Sequence, residues 1–355
     1  MLLRLFWNPA EKRIALVWRL VIQLIFMFLL SLPMAILQAF MVQSRIEPTL
    51  GLMIGLNLIS ILLTLAAFIG SIWLAGRLFD RRKFADFGVH FSPNWWRDLG
   101  FGLLLGAVLM ALIFLIEYAV GWVTITSTFH IENTQSTFWL GIFMRFLFFV
   151  SVGIYEEFIF RGYQLKNVAE GFNAFKRISP KTAILISLLL TSAVFGLAHL
   201  SNPNATWVSS FNIFLAGIFL AMGFLLTGEL AIPIGLHITW NFFQGNVFGF
   251  PVSGTQAGVT LINIQQGGPA LFTGGAFGPE AGLIGIAAMI LGSLLTIWYV
   301  KWRYGKIALW EKLAFADFLP KHQAKLDAAA EMGLEPVEDA TPEIADPEPP
   351  EPSEA

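Results

Sequence analysis

The strongest constraint on this chain is a pair of adjacent carboxylates, Glu156 and Glu157, inside an apolar run long enough to cross a membrane. The run reads FWLGIFMRFLFFVSVGIYEEFIFR and ends at Arg161. An ionised carboxylate in hydrocarbon costs at least about 2.5–3.5 kcal/mol, so acids at this depth mark functional sites by default. On a helix, Glu157 and Arg161 share a face at i, i+4, whereas Glu156 is turned about 100° away. We therefore expect Arg161 to neutralise Glu157 and to leave Glu156 free.

Composition places the rest of the chain in a lipid bilayer. Of its 355 residues, 56% are hydrophobic and only 13% are charged, against about 25% charged in soluble domains. Long apolar runs without strict alternation indicate helices rather than an outer-membrane barrel. The sequence thus predicts an all-α, polytopic membrane helix bundle of about eight transmembrane helices. The predicted spans are Leu20–Val42, Leu50–Ala75, Leu99–Thr124, Phe138–Phe160, Ala183–Leu200, Phe211–Leu226, Ile232–Phe250 and Gly282–Val300.

Charge and cysteine content exclude several kinds of chemistry. The chain has no cysteine, which rules out disulfides, thiol nucleophiles and cysteine-ligated metals. Its formal net charge of −2 gives no indication of nucleic-acid binding, so we predict no nucleic-acid partner. Basic residues concentrate in one alternate set of loops, and the positive-inside rule then places both termini in the cytoplasm.

Four regions are predicted along the chain. Residues 1–137 contain the N-terminal transmembrane helices, and residues 138–250 form a core that carries the polar motifs. Residues 251–312 combine a glycine-rich stretch, predicted to be an external and mobile loop, with the last transmembrane helix. Residues 313–355 are predicted to be a disordered cytoplasmic tail, because acidic residues and proline dominate its sequence.

Two later spans carry polar pairs at helical spacing. The segment FGLAH contains Phe195 and His199 at i, i+4, and HITWN contains His237 and Asn241 at the same spacing. One helix face therefore presents both members of each pair. Together with Glu156, these residue types suit hydrolysis, because a carboxylate can act as general base toward water while an imidazole shares the proton. A second imidazole and an amide N–H can then stabilise an oxyanion.

These motifs resemble those of the CPBP (Abi) intramembrane proteases, the group that includes the type II CAAX prenyl endopeptidases. EEFIFR is similar to the EExxxR motif, FGLAH to FxxxH and HITWN to HxxxN, over roughly Phe138–Phe250. The resemblance implies an intramembrane endopeptidase in a bacterial plasma membrane. Its substrate would be a peptide or a membrane-associated protein, for example a prenylated one.

The resemblance also implies roles for individual residues. Glu156 and His199 would activate water, and His237 and Asn241 would form the oxyanion site. The implied supporting residues are Glu157, Arg161 and Phe195.

A zinc site is the alternative to this metal-free chemistry. Glu156, His199 and His237 could hold Zn²⁺ with water in the fourth position. Against zinc, the sequence lacks the HExxH spacing, and the positive charge of Arg161 lies close by. We therefore predict that the protein uses no cofactor, with zinc kept as the alternative.

Two further points stay open in the sequence. A non-proteolytic membrane protein would also carry buried polar groups, either as a bacteriocin-immunity binder or as a proton-coupled transporter. A transporter usually shows internal repeats with broken helices, and no convincing repeat is present. The predicted depths of the motifs also differ, because His199 lies about 25 Å along its helix from the cytoplasmic end, whereas Glu156 and His237 lie near that end. Only long or tilted helices would bring all three together.

Overall fold

The computed structural model describes residues 6–9, 11–44, 49–132, 136–175 and 177–331. Helices dominate this part of the chain, and its ten α-helices of eight or more residues are numbered here in chain order. They are α1 (Leu16–Ser44), α2 (Leu50–Ala75), α3 (Pro93–Ala119), α4 (Phe138–Glu157), α5 (Lys166–Asn173), α6 (Pro180–Ala198), α7 (Trp207–Thr227), α8 (Ala231–Phe242), α9 (Leu283–Tyr304) and α10 (Pro320–Glu331).

Shorter elements join these helices. The π-helical segments, which have a wider turn than an α-helix, are Gly76–Asp80, Phe158–Leu165 and Phe243–Val247. The short helical turns are Phe84–Phe87, His199–Ser201, Ala270–Thr273, Gly275–Phe277, Pro279–Ala281 and Glu311–Ala314. Two antiparallel strand pairs complete the fold, β1 (Trp7–Asn8) with β2 (Arg13–Ile14) and β3 (Val123–Ile131) with β4 (Val259–Gln266).

The predicted all-α membrane bundle is confirmed. In the part of the chain that the structure describes, seven helices are long and apolar enough to cross a membrane. The remaining predicted span, Ile232–Phe250, is a helix of 12 residues that continues into the π-helical segment Phe243–Val247. Nearly all of its residues are buried. A helix that is apolar on every side and enclosed by its neighbours belongs to the centre of a bundle.

Contacts at the helix ends show how this central helix crosses the bundle. The Trp310 amide donates to the Leu225 carbonyl at 2.8 Å, so the end of α7 and the segment after α9 lie at the same end. Asn212, near the start of α7, donates to the carbonyl of Ala281 just before α9. The chain therefore passes from one end to the other between α7 and α9, and α8 makes that eighth crossing.

The N-terminal and C-terminal parts of the described chain meet at one end of the bundle. The carbonyl of Glu11 contacts His322 Nε2 at 2.7 Å. Nearby, the Leu319 amide donates to the Arg81 carbonyl at 2.7 Å, and Lys83 pairs with Asp317. Residues 11 and 322 thus lie at the same end of the bundle, as eight crossings between them require.

Helix α8 packs closely against α3 because glycines remove side chains from the contact. A Cβ atom added at Gly106 would lie 2.5 Å from the Leu236 carbonyl oxygen and 2.7 Å from the Trp240 nitrogen. Small residues allow such close approach between membrane helices. The Thr239 hydroxyl adds a hydrogen bond of 2.7 Å to the Leu103 carbonyl across the same interface. This contact fixes the depth and rotation of the helix that carries His237.

We expect Gly106→Ala to destabilise the purified protein by about 1–3 kcal/mol. The new methyl group would overlap backbone atoms of α8, which cannot rotate out of the way as a side chain can. Gly100 on the same helix is the matched control, since a Cβ there meets nothing within 4 Å. Gly100→Ala should stabilise α3 slightly, because alanine is the better helix former. Thermal unfolding of both variants in detergent measures the difference. Equal unfolding temperatures would contradict the close approach of α3 to α8.

Several arginines that were counted as loop charges are buried in an ion-pair network. Arg19 Nη1 lies 3.0 Å from Asp80 Oδ1, and Arg13 and Arg82 both contact the carboxylate of Glu170. Arg13 lies on β2 and Arg19 in the first turn of α1, Asp80 and Arg82 follow α2, and Glu170 lies in α5. Buried charges persist only when they are paired and hydrogen-bonded, so the network ties the first two helices to the extension of α4.

Two regions that were predicted from the sequence to lack regular structure are partly folded. The glycine-rich stretch 251–280 was predicted to be a mobile loop, but it contains β4, which pairs with β3. The tail was predicted to be disordered from residue 313, yet α10 lies within it and packs against the N-terminal segment through His322. Residues 332–355 of the predicted tail lie outside the described residues, and the division into four regions stays a prediction.

Candidate active site

The helix that carries the two carboxylates is longer than predicted. The predicted span ends at Phe160, but α4 continues through the π-helical segment Phe158–Leu165 into α5. The result is one helical run, Phe138–Asn173, of 36 residues. Glu156 therefore lies near the middle of the run rather than at its end.

Glu157 lies at the centre of a buried charge cluster. Arg161 Nη1 donates to Glu157 Oε1 at 2.9 Å, so the ion pair expected from the i, i+4 spacing is present. Arg161 also donates to the Gly217 carbonyl on α7 at 2.9 Å. The same carboxylate oxygen of Glu157 contacts His237 Nδ1 at 2.7 Å. Glu157 thus joins α4 to α8, a contact that the sequence analysis did not foresee.

This contact determines where His237 carries its proton. Arg161 donates to Glu157, and a carboxylate paired with a guanidinium only accepts hydrogen bonds. Nδ1 of His237 must therefore carry a hydrogen and donate it to Glu157. The other ring nitrogen, Nε2, faces Glu156 Oε2 at 3.8 Å, too far for a direct hydrogen bond. A water or substrate oxygen that touches both atoms fits this separation.

Phe195 connects the second motif to the first. Its backbone carbonyl contacts His199 Nδ1 at 2.7 Å, and its ring packs edge-on against the imidazole, with 4.7 Å between the ring centroids. The guanidinium of Arg161 lies over the same ring, 4.6 Å from its centroid. A carbonyl only accepts, so His199 carries its hydrogen on Nδ1. In the neutral ring, Nε2 then has a free lone pair.

All four predicted catalytic side chains line one cavity of about 650 Å³. They are Glu156, His199, His237 and Asn241. Glu156 is partly exposed to this space, with 19% of its side chain accessible, whereas the side chain of Glu157 is fully buried. Phe195 belongs to the same wall. Glu156, which the helical spacing predicted to be free of Arg161, is thus the acid that faces the cavity.

The predicted difference in depth does not keep the motifs apart. Glu156 lies near the middle of the helical run Phe138–Asn173, and His237 lies in the middle of α8, whose residues are nearly all buried. His199 caps the end of α6 and starts a short helical turn, His199–Ser201. The cavity reaches from the middle of the bundle to that end, since Asn202 and Thr255 also line it.

The geometry of the donor groups disfavours a zinc site, although the histidines do not exclude one. No group of three His, Asp or Glu side chains in the described ranges is arranged to hold a metal ion. Both histidines hydrogen-bond through Nδ1, His237 to Glu157 and His199 to the Phe195 carbonyl. Such bonds leave Nε2 available to a water, a substrate or an ion. These hydrogen bonds are therefore compatible with metal-free and with zinc chemistry.

Two buried polar residues of the cavity wall were not predicted from the sequence. They are Asn246 and Glu280. The sequence did contain a signal for Glu280, which is an isolated acid directly before the last apolar run. The many glycines around it pointed to a solvated loop instead.

Comparisons with known proteins agree with the motifs. Residues 136–243 match the family model described as "Type II CAAX prenyl endopeptidase Rce1-like", which confirms the resemblance inferred from the sequence. The chain is 25% identical over 249 residues to the protein named "Uncharacterized protein YyaK" of Bacillus subtilis (strain 168), covering 66% of this chain and 72% of that protein. No solved structure matches the chain. At family level, these findings support a CAAX-type intramembrane protease, and the seven apolar helices make the chain an integral membrane protein.

Proposed function

We propose, from the Rce1-like match over residues 136–243, that this protein hydrolyses a peptide bond inside the membrane with a water activated by Glu156 and His199. The observation that carries the proposal is the shared cavity, which brings Glu156, His199, His237 and Asn241 together from three separate helices. A metal-free mechanism of the glutamic type is preferred to a metallopeptidase.

The first step is attack of water on the scissile carbonyl. Glu156 takes one proton from the water, and the new C–O bond forms as the carbonyl π electrons move to oxygen. Nε2 of His199 accepts a hydrogen bond from the water and orients it, because Nδ1 is held by the Phe195 carbonyl. A positioned general base contributes about 10²–10⁴ in rate.

The second step is collapse of the tetrahedral intermediate. Its oxyanion receives hydrogen bonds from the Asn241 amide and from His237 Nε2, which donates when the ring carries a hydrogen on both nitrogens. The Glu157 carboxylate accepts the hydrogen on Nδ1 and so holds the ring in place. Fixed donors in a site without bulk water stabilise such an anion strongly. The C–N bond then breaks, and the proton held by Glu156 passes to the leaving amine nitrogen.

The proposed substrate is a membrane-associated protein or peptide. The cavity wall is mainly apolar, with residues such as Met27, Phe68, Phe148 and Leu220, which suits a segment that enters from the lipid or carries a lipid group. The end of the bundle where residues 11 and 322 meet is proposed to be cytoplasmic. Basic residues concentrate in the loops of that side, as the positive-inside rule requires.

The alternative is a non-proteolytic membrane protein, either an immunity-type binder or a proton-coupled transporter. A binder has no need for two histidines, an acid and an amide that face one cavity. Hydrolysis accounts for each of these groups by a separate role, so the protease is preferred.

We expect purified protein in proteoliposomes to cleave membrane-associated peptides, and extended dialysis against a strong chelator to leave the rate unchanged within about twofold. The physical reason is that no step depends on a bound ion, so chelation removes nothing that the reaction uses. Mass spectrometry of the products, before and after dialysis, measures both points. Loss of activity that is restored by added Zn²⁺ would overturn the glutamic mechanism, and Glu156, His199 and His237 would then be the ligands to test.

A further inference from the structure

Glu280 is a buried acid in the cavity wall that the proposed reaction does not use. It lies in the short turn Pro279–Ala281, directly before α9, and only 3% of its surface is exposed. Its carboxylate accepts the Ser253 amide at 2.6 Å and a hydrogen bond from the Gln244 side chain. No arginine or lysine among the described residues lies within ion-pairing distance of it. The negative charge of Glu280 therefore has neutral partners and no counter-ion.

Asn246 provides a second unsatisfied group in the same wall. Its Nδ2 donates to the Val259 carbonyl at 2.7 Å, and because a carbonyl only accepts, the orientation of the amide is fixed. The oxygen Oδ1 is then left buried, with no donor among the residues that the structure describes. A buried polar atom without a partner is costly, and a donor-rich ligand would remove the deficit.

The π-helical segment Phe243–Val247 accounts for the position of Asn246. On a regular α-helix, five residues turn the chain by about 140° beyond a full turn, which would rotate Asn246 away from the face of Asn241. A π-helical turn closes between residues i and i+5. Asn241 and Asn246 consequently both line the cavity. Asn246 thus belongs to the same helix face as Asn241 of the proposed oxyanion site.

The mouth of the cavity lies beside these groups. Thr255 and Gln256 line the cavity and are exposed, whereas Glu280 is buried beneath the loop that contains them. The Ser253 amide holds this loop to the Glu280 carboxylate. A ligand that enters past Thr255 would therefore meet a carboxylate and an amide oxygen, both of which accept hydrogen bonds.

We propose that Glu280 and Asn246 form a subsite for a basic side chain, a lysine ammonium or an arginine guanidinium, of the peptide that this cavity cleaves. Such a cation donates several hydrogen bonds and supplies the missing positive charge. The inference rests on the proposed proteolysis for the nature of its ligand. Binding of the cationic group itself can be measured without turnover.

The test compares n-butylguanidinium with n-butylurea, a neutral molecule of nearly the same shape. We expect the full-length protein in detergent to bind n-butylguanidinium at pH 8 about tenfold more tightly, or better, because hydrogen bonds to a charged group are the stronger ones. Isothermal titration calorimetry measures both affinities. Equal affinities for the two molecules in the wild-type protein would overturn the subsite, whatever the variants do.

The pH dependence gives a second readout. Burial raises the pKa of the Glu280 carboxyl to about 7, despite its hydrogen bonds, so the acid is ionised above that pH and neutral below it. Binding of n-butylguanidinium should therefore weaken as the pH falls from 8 to 5.5. Glu156, His199, His237 and Arg145 also line the cavity and could contribute to such a trend. The dependence must consequently disappear in Glu280→Gln.

Three variants locate the bound cation. Glu280→Gln should remove the preference for n-butylguanidinium, and Glu156→Gln should keep it. Glu117→Gln is the matched control, because Glu117 is another buried acid bonded to a glutamine, Gln266, but does not line this cavity. Loss of binding in Glu156→Gln with full binding in Glu280→Gln would place the cation at the proposed general base and overturn the subsite. Selective cation binding by a protein that cleaves no peptide would support the subsite and contradict the proteolysis.

Discussion

Glu156→Gln should abolish proteolysis while leaving a folded protein in the membrane. The substitution keeps the size of the side chain and removes the base, which we expect to lower the rate by about 10²–10⁴. Glu156 makes no direct hydrogen bond to His237, since 3.8 Å separate its Oε2 from Nε2. Its side chain is also partly exposed to the cavity. The fold should therefore lose little when the charge is removed.

Activity and thermal unfolding of Glu156→Gln should be measured on the same preparation, with Glu117→Gln as the control. Glu117 is fully buried and bonded to Gln266, outside the cavity. The control should cleave at the wild-type rate. Full residual activity of Glu156→Gln would remove Glu156 from the mechanism. Equal losses in both variants would point to a general effect of removing buried acids.

The second large effect is expected at Glu157. Glu157→Ala should destabilise the protein by about 3–5 kcal/mol, because it leaves the buried guanidinium of Arg161 without its counter-charge. The same change removes the hydrogen-bond acceptor from His237 Nδ1. The variant should thus show a lower unfolding temperature, and its folded fraction should be less active than the wild type.

A double variant separates these two consequences. Glu157→Ala combined with Arg161→Met removes the unpaired charge, and apolar replacement of a buried ion pair is often neutral for stability. We expect the double variant to recover most of the unfolding temperature but not the activity, because His237 remains unanchored. Recovery of both properties would show that Glu157 serves only as the partner of Arg161. Unfolding temperature and initial cleavage rate are the two measurements.

Contacts between residues close in sequence were predictable. The pair Glu157–Arg161 follows from the i, i+4 spacing, and the structure contains it. The link between Phe195 and His199 has the same spacing, although it runs through the backbone carbonyl as well as the ring. In both cases, the geometry of a single helix determines which groups can meet.

Contacts across the bundle were not predictable. Glu157 and His237 are 80 residues apart, and no periodicity in either helix indicates that the two face each other. The enclosure of α8 was also not predictable, because hydropathy cannot distinguish a helix in lipid from one enclosed by other helices. Both are apolar in sequence, and only packing separates them.

The sequence by itself determined that this protein is a helical membrane protein with three polar motifs, because composition and helical spacing are properties of each segment alone. The tertiary structure decided that the motifs share one cavity, that Glu157 anchors His237, and that Glu280 and Asn246 join the same wall. These outcomes depend on which helices pack together and at what depth. Close approaches such as that of Gly106 to α8 set this packing, and they depend on the shapes of two helices at once.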